Sequence, residues 1–180
     1  MLAAGTHAIT PRMADRVHVS LPSRRRALSW VGAAMAAPFM TACSGGKAEA
    51  RSYRVQYSEA EWRKRLSPQA FRILRKEGTE RPFSSPLNKE KRKGTFVCAG
   101  CATPLFSSAT KYDSGTGWPS FWKPLKGAVG TSTDFKLGYP RTEVHCATCG
   151  GHLGHVFKDG PKPTGLRYCM NGAAMEFRPA

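Results

Sequence analysis

Two cysteine pairs constrain this chain more than any other feature. Cys98-x-x-Cys101 and Cys146-x-x-Cys149 repeat one spacing and lie far apart in sequence. Two residues between thiolates let a single tight turn aim both sulfurs at one ion, and two such turns close a tetrahedron with no open position. Any fold this chain adopts must therefore bring the two turns together. A closed four-thiolate site is structural, Zn2+ is its expected occupant, and metal binding then becomes folding energy. The competing arrangement is two disulfides, open to an exported protein in an oxidising compartment. A chain that folds before export would load zinc onto reduced thiols instead.

The 180 residues suffice for one domain and a tail. Thirteen Pro and 18 Gly, scattered without period, suit a loop-rich β domain and exclude a collagen-like repeat. The net charge of +16 invites a nucleic-acid reading. Its excess is densest over 51–93 but carries no aromatic-interleaved basic stripe, so no nucleic-acid partner is expected.

Residues 1–50 read as an export signal and tether, and 51–180 as the folded domain. Arg24-Arg25-Arg26 precedes the apolar stretch from Ala27 to Met40, which resembles a twin-arginine signal and is too short for an ordinary membrane span. Met40-Thr41-Ala42-Cys43 resembles a bacterial lipobox, making Cys43 a site of lipidation and the membrane a partner. Cleavage after Ala48-Glu49-Ala50 is the alternative and would discard Cys43. Either way the expected location is the periplasm or the cell-envelope membrane.

Within the domain, Ser58 and Glu61 form a capping box, and Tyr57 and Trp62 a hydrophobic staple, at the start of one helix. Ser67-Pro68 opens a second, predicted to stop at Gly78. Thr79 to Lys93 reads as a polar connection. Beyond it, short β-prone pieces recur at 95–97, 105–106, 128–129, 142–144, 155–157, 166–168 and 175–177, separated by turn residues. The expected fold is mainly β and antiparallel, with short N-terminal helices and a structural four-cysteine zinc site.

Cys169 stands apart from the pairs. If its segment is a strand, Arg167, Cys169 and Asn171 share a face, and a cation there favours the thiolate. His152, His155 and Asp159 lie just upstream. Alone, each of these residues suits a structural role, but together they suggest a thiol active site with imidazole proton donors.

Gly115-Thr116-Gly117-Trp118-Pro119-Ser120-Phe121, both CxxC pairs, His152-Leu153-Gly154-His155-Val156-Phe157 and the run from Gly160 to Asn171 together resemble the B-type methionine sulfoxide reductases, the peptide-methionine (R)-S-oxide reductases. The resemblance spans roughly residues 52 to 178. It implies two antiparallel sheets with a structural zinc away from the active site. It implies that Cys169 is the nucleophile and that Trp118 packs on the substrate methyl group. His152, His155 and Asn171 would line the pocket, and Asp159 and Arg167 would support charge on the sulfur. Reduction would leave a Cys169 sulfenic acid, and oxidised proteins or peptides would be the substrates.

One departure matters. Many relatives carry a second cysteine in the Gly-x-Gly-Trp-Pro-Ser-Phe motif, where this chain has Thr116. With four cysteines on zinc and Cys43 lipidated or removed, Cys169 has no internal partner. A thioredoxin-like external thiol is then the expected reductant, with an unprocessed Cys43 the alternative. The competing readings are a zinc-ribbon nucleic-acid module and a purely structural exported metalloprotein.

Overall fold

The structure is a computed structural model, and it describes residues 52–180. The twin arginines, Cys43 and the Ala48–Ala50 site lie outside the described residues.

Helix α1, Glu59–Arg65, begins at the expected capping box, with Ser58 accepting from the Glu61 amide and Glu61 answering at the Ser58 amide. The staple closes with the Tyr57 and Trp62 rings edge to face, 4.9 Å apart. Helix α2, Pro68–Lys76, is capped by Ser67. Its end differs from expectation, because Glu77 rather than Gly78 takes the left-handed conformation, with φ of 51°. Buried Trp62, Leu66, Phe71, Ile73 and Leu74 seat both helices on the β core.

Among the described residues, nine strands form two antiparallel sheets. The first, in order β2-β1-β9, joins Pro104–Ser107, Gly94–Cys98 and Met175–Pro179. The second, in order β3-β4-β8-β7-β6-β5, joins Lys111–Tyr112, Ser120–Phe121, Arg167–Met170, His152–Phe157, Arg141–Cys146 and Val129–Asp134. Every expected β piece falls in or at the start of a strand, and β3 and β4 are additional. Phe121 of β4 fastens the sheets together, stacking on Phe106 of β2 at 4.3 Å and meeting Phe96 of β1 edge-on at 4.9 Å. All three rings are fully buried.

The second sheet carries the chemistry on one face. Adjacent partners place Tyr112, Ser120, Cys169, His155, Glu143 and Ser132 in a single row across its six strands. Side chains of paired residues project to the same side, so this row is one polar rung.

Candidate active site and metal centre

Strict alternation along β7 would put His152 and His155 on opposite faces. A bulge prevents this: Val144 pairs with Gly154 but His145 pairs with His152, leaving Leu153 as the extra residue. The two imidazoles thus come to one face, edge to face with centroids 5.3 Å apart. Gly154 is required where β7 meets β8, because a Cβ there would stand 2.1 Å from the Cys169 carbonyl oxygen.

Cys169, His155, Asn171 and Trp118 line one small cavity of about 120 Å3, together with Thr79, Arg141, Gly154 and Phe157. That space suits the head of one side chain. A larger hollow beside Asn88, Lys89, Lys111 and Asp113 contains neither cysteine nor histidine in its wall.

His155 faces Cys169 across the β7–β8 ladder. Its Nε2 lies 2.7 Å from Asp134 Oδ2, on the carboxylate that also accepts from Arg141 Nη2 at 2.5 Å. Burial pushes the imidazole below its ordinary value against the pull of Asp134. The Lys136 amide, then His155 and Arg141, hold the Asp134 carboxyl down to about 2. His152 is placed otherwise than expected. It is buried against Glu143, Nδ1 to Oε1 at 2.8 Å, and stands behind His155 rather than in the cavity wall. His145 and His152 hold the Glu143 carboxyl well below the usual carboxylate range.

Asn171 follows β8 and is buried. Its Oδ1 accepts from the Glu80 amide at 3.0 Å, while its Nδ2 donates to the Leu153 carbonyl at 3.1 Å. Trp118 is fixed by the same residue, its Nε1 donating to the Glu80 carbonyl at 3.2 Å. The Glu80 carboxylate accepts from the Gly172 and Ala173 amides at 2.6 and 2.9 Å. Glu80 therefore positions both walls of the cavity, so the expected polar connection 79–93 is in part a buried clamp. Arg167 and Asp159 meet in a bidentate pair at 2.9 and 2.7 Å, with the guanidinium over the Phe157 ring. Neither lines the cavity.

Asp134, Arg141, Glu143 and Glu80 were not anticipated from the sequence. Gly138-Tyr139-Pro140 was the available signal for the first two, since a hairpin turn there makes Asp134 and Arg141 cross-strand partners.

The paired cysteines meet as their spacing requires. Cys98 and Cys149 sulfurs are 3.7 Å apart, Cys101 and Cys146 sulfurs 3.6 Å, and all four ligand atoms lie within 4.8 Å of one another. A tetrahedral ion with metal–sulfur bonds of about 2.3 Å needs sulfur separations of roughly 3.8 Å, whereas a disulfide needs about 2 Å. All four thiols are free. The two turns match: Ala102 donates its amide to the Cys98 carbonyl at 2.8 Å and Gly150 to that of Cys146 at 2.9 Å. Each of these following residues is left-handed, with φ of 57° and 68°. The residues thus fit a structural ion. Cys146 and Arg141 end the same strand, so the metal centre stands roughly 17 Å along β6 from the cavity.

Compared with known proteins, residues 66–179 match the family described as SelR domain. The chain is 55% identical to the peptide methionine sulfoxide reductase MsrB of Leptospira interrogans, over 71% of this chain and 98% of that one. It is 55% identical to the protein of that name from Agrobacterium fabrum, over 71% and 96%. For the Saccharophagus degradans protein the figures are 58% over 65% and 88%. A rung that sets a thiol against an imidazole, a distant four-cysteine centre and these similarities agree: the chain belongs to the SelR family of B-type peptide methionine sulfoxide reductases.

Proposed function

We propose that this protein reduces methionine-R-sulfoxide in oxidised peptides and proteins, with Cys169 as nucleophile. The observation that carries this reading is the shared cavity wall of Cys169, His155, Trp118 and Asn171. The sulfoxide sulfur is pyramidal and its oxygen is a weak base, so the S–O bond breaks only as a proton reaches the oxygen. Trp118 packs against the S-methyl group, and the buried Asn171 lines the same cavity. An aromatic on one side and polar groups on the other accept one epimer and reject its mirror arrangement.

Cys169 attacks the sulfoxide sulfur, two electrons pass to it, and the oxygen finishes on Cys169. The products are the thioether and a sulfenic acid. His155 holds the proton that the departing oxygen takes, with Asp134 fixing the ring by its other end. His152 and Glu143 brace His155, and Asp159 fixes the Arg167 guanidinium, the cation on the strand of Cys169. An external thiol then condenses with the sulfenic acid, releasing water, and a second thiol frees Cys169. The five cysteines among the described residues support this donor: four are gathered at the metal centre and Cys169 is the fifth. A thioredoxin-like protein supplies such thiols.

The ion at Cys98, Cys101, Cys146 and Cys149 is proposed as zinc, which prefers four thiolates in closed sites and supplies no step of the reaction. Export by the twin-arginine motif, with anchoring at Cys43, rests on the residues that precede the domain.

The test is turnover of separated R and S sulfoxide epimers in a peptide, with dithiothreitol as reductant. Reduction of the R epimer alone is expected, and Cys169→Ser should abolish it while metal content stays intact. Turnover by Cys169→Ser, or none of either epimer by the wild type, overturns the reading. Mass spectrometry of protein from cells tests the donor, because a Cys43–Cys169 disulfide would replace the external thiol.

A further inference from the structure

Thr116 occupies the motif position discussed above, and its surroundings assign it work of its own. Its Oγ1 lies 3.7 Å from Cys169 Sγ, within reach of a hydrogen bond to sulfur. On its other side it meets Ser114 Oγ at 2.8 Å, Ser114 meets Ser120 Oγ at 2.7 Å, and Ser120 reaches the Trp118 carbonyl at 3.1 Å. Ser120 is fully buried and is the cross-strand partner of Cys169. Three hydroxyls thus form an unbroken line from the sulfur to a backbone carbonyl.

A hydroxyl has one proton to donate, so the line has only two fully ordered directions. With Cys169 as a thiol, S–H donates to Thr116, Thr116 to Ser114, Ser114 to Ser120, and Ser120 to the Trp118 carbonyl. Every donor is then used. With Cys169 as a thiolate, the sulfur has nothing to give and needs a donor. The hydroxyls rotate, so that Ser120 donates to Ser114, Ser114 to Thr116, and Thr116 to the sulfur. The exchange surrenders the neutral bond to the Trp118 carbonyl and replaces the weak S–H···O bond by one to an ionised sulfur, which is about twice as strong as a neutral bond. Neighbouring hydroxyls polarise one another and strengthen the arrangement. The proton lost by Cys169 leaves to a base outside the line, because the Trp118 carbonyl cannot keep it.

We propose that Thr116, Ser114 and Ser120 form a reversible hydroxyl relay that accepts from the Cys169 thiol and donates to its thiolate. Thr116 is then a catalytic residue that touches the reacting sulfur, and Ser114 and Ser120 are positioning residues that keep it supplied. The inference rests on Cys169 being the nucleophile. It gives the threonine a function in a chain whose sulfenic acid is cleared from outside.

The test is the pH dependence of Cys169 alkylation by iodoacetamide in the metal-loaded full chain, read on the Cys169 peptide by mass spectrometry, beside kcat and KM for the R-sulfoxide. Thr116→Val keeps the volume and removes the hydroxyl. It should move the alkylation profile about one pH unit higher and lower kcat about tenfold, with KM within twofold. Thr116→Ser restores the hydroxyl and should restore both. Ser114→Ala should shift the profile the same way by less. Metal content and thermal midpoint, which report only folding, should stay at wild-type values in all three. An unchanged alkylation profile in Thr116→Val, or equal profiles in Thr116→Val and Thr116→Ser, overturns the relay. A wild type that reduces no sulfoxide instead overturns the reaction assigned above, while the alkylation profiles still decide the relay.

Discussion

At the scale of single residues, His155 shows how burial and charge compete. Desolvation favours the neutral ring, and Asp134 at 2.7 Å favours the charged one; burial has the larger effect. In the donor role proposed for it, a His155 with a lowered value is charged only in a minor fraction at neutral pH, and Asp134 would preserve what donor capacity there is. Asp134→Asn removes that pull and lowers His155 further. The alkaline fall of kcat should then begin at lower pH than in wild type, with kcat at pH 7.5 reduced about tenfold. His155→Gln should lose about a hundredfold or more across the whole profile. Single-turnover rates against pH check both, and an Asp134→Asn profile superimposable on wild type removes His155 as donor. The same shift has a stability consequence of definite sign. Between the lowered folded value and about 6.5, the unfolded chain binds more protons at this ring than the native one, so stability rises with pH there. It is fully present above about 6.5 and lost as pH falls. Asp134 and Glu143 act in the same direction at lower pH, present above the ordinary carboxylate range and lost as the pH falls below it towards their lowered folded values. Denaturant midpoints should therefore fall as the pH drops below about 6.5, where His155 acts, and fall again below about pH 4, where the two carboxyls act.

At the scale of elements, legibility in the sequence followed how local each signal was. The capping box, the staple and Ser67-Pro68 are statements about neighbours a few residues apart, and both helices start where these signals place them. The aromatic and β-branched pieces likewise marked seven strands. The missing strands, β3 and β4, have two residues each; β4 pairs on the edge that β8 offers, and β3 on the edge of β4. Strand β5 extends through Gly130-Thr131-Ser132-Thr133-Asp134, where neither face is strongly apolar and no alternation can show. Glu80 looked like solvated connection because its partners, Gly172, Ala173 and Asn171, are about ninety residues away. Cys169, His155, Trp118 and Asn171 were all named from the sequence, but the shared face of His152 and His155 depends on a bulge that period-two reasoning excludes. Gly154 is its one visible trace. Gly154→Ala should force β8 off β7 at Cys169, since the new Cβ meets backbone rather than a yielding side chain. The expected cost is about 2 kcal/mol in urea unfolding. Sulfoxide reduction should fall at least a hundredfold, because small displacements of reacting groups are expensive. Wild-type stability and turnover in that variant would show that the close approach is not required.

At the scale of the whole molecule, the four cysteines join what hydrogen bonds do not. Cys98 ends β1 in the three-stranded sheet and Cys146 ends β6 in the six-stranded one, so an ion held by all four cysteines would link the two sheets at the edge of their common core. The helices complete the enclosure. Arg75 donates to the Cys149 carbonyl at 3.0 Å, and Leu74 packs against both Gly100 and Gly151 beside the sulfurs. With Cys98, Cys146 and Cys149 buried, removing the ion would leave the four sulfurs only weak thiol contacts with one another in place of four metal–sulfur bonds. The cavity, by contrast, lies at the far end of β6, and none of the four cysteines lines it. Chelation should therefore act on folding first and on chemistry only through it. The metal-loaded protein should release one zinc per chain. The stripped protein should melt lower by on the order of 10 °C, equivalent to roughly 3 kcal/mol, with Cys98→Ser reproducing the loss. Below that lowered midpoint the protein that remains folded should reduce the R-sulfoxide with kcat near the loaded value, whereas a metal acting in the reaction would take kcat to zero while the fold persisted. Thermal melts of the loaded, stripped and re-loaded protein, paired with turnover at a temperature where all are folded, separate the two outcomes. An unchanged melting point after complete removal would show that the apolar core around Phe96, Phe106 and Phe121 holds the two sheets without the ion.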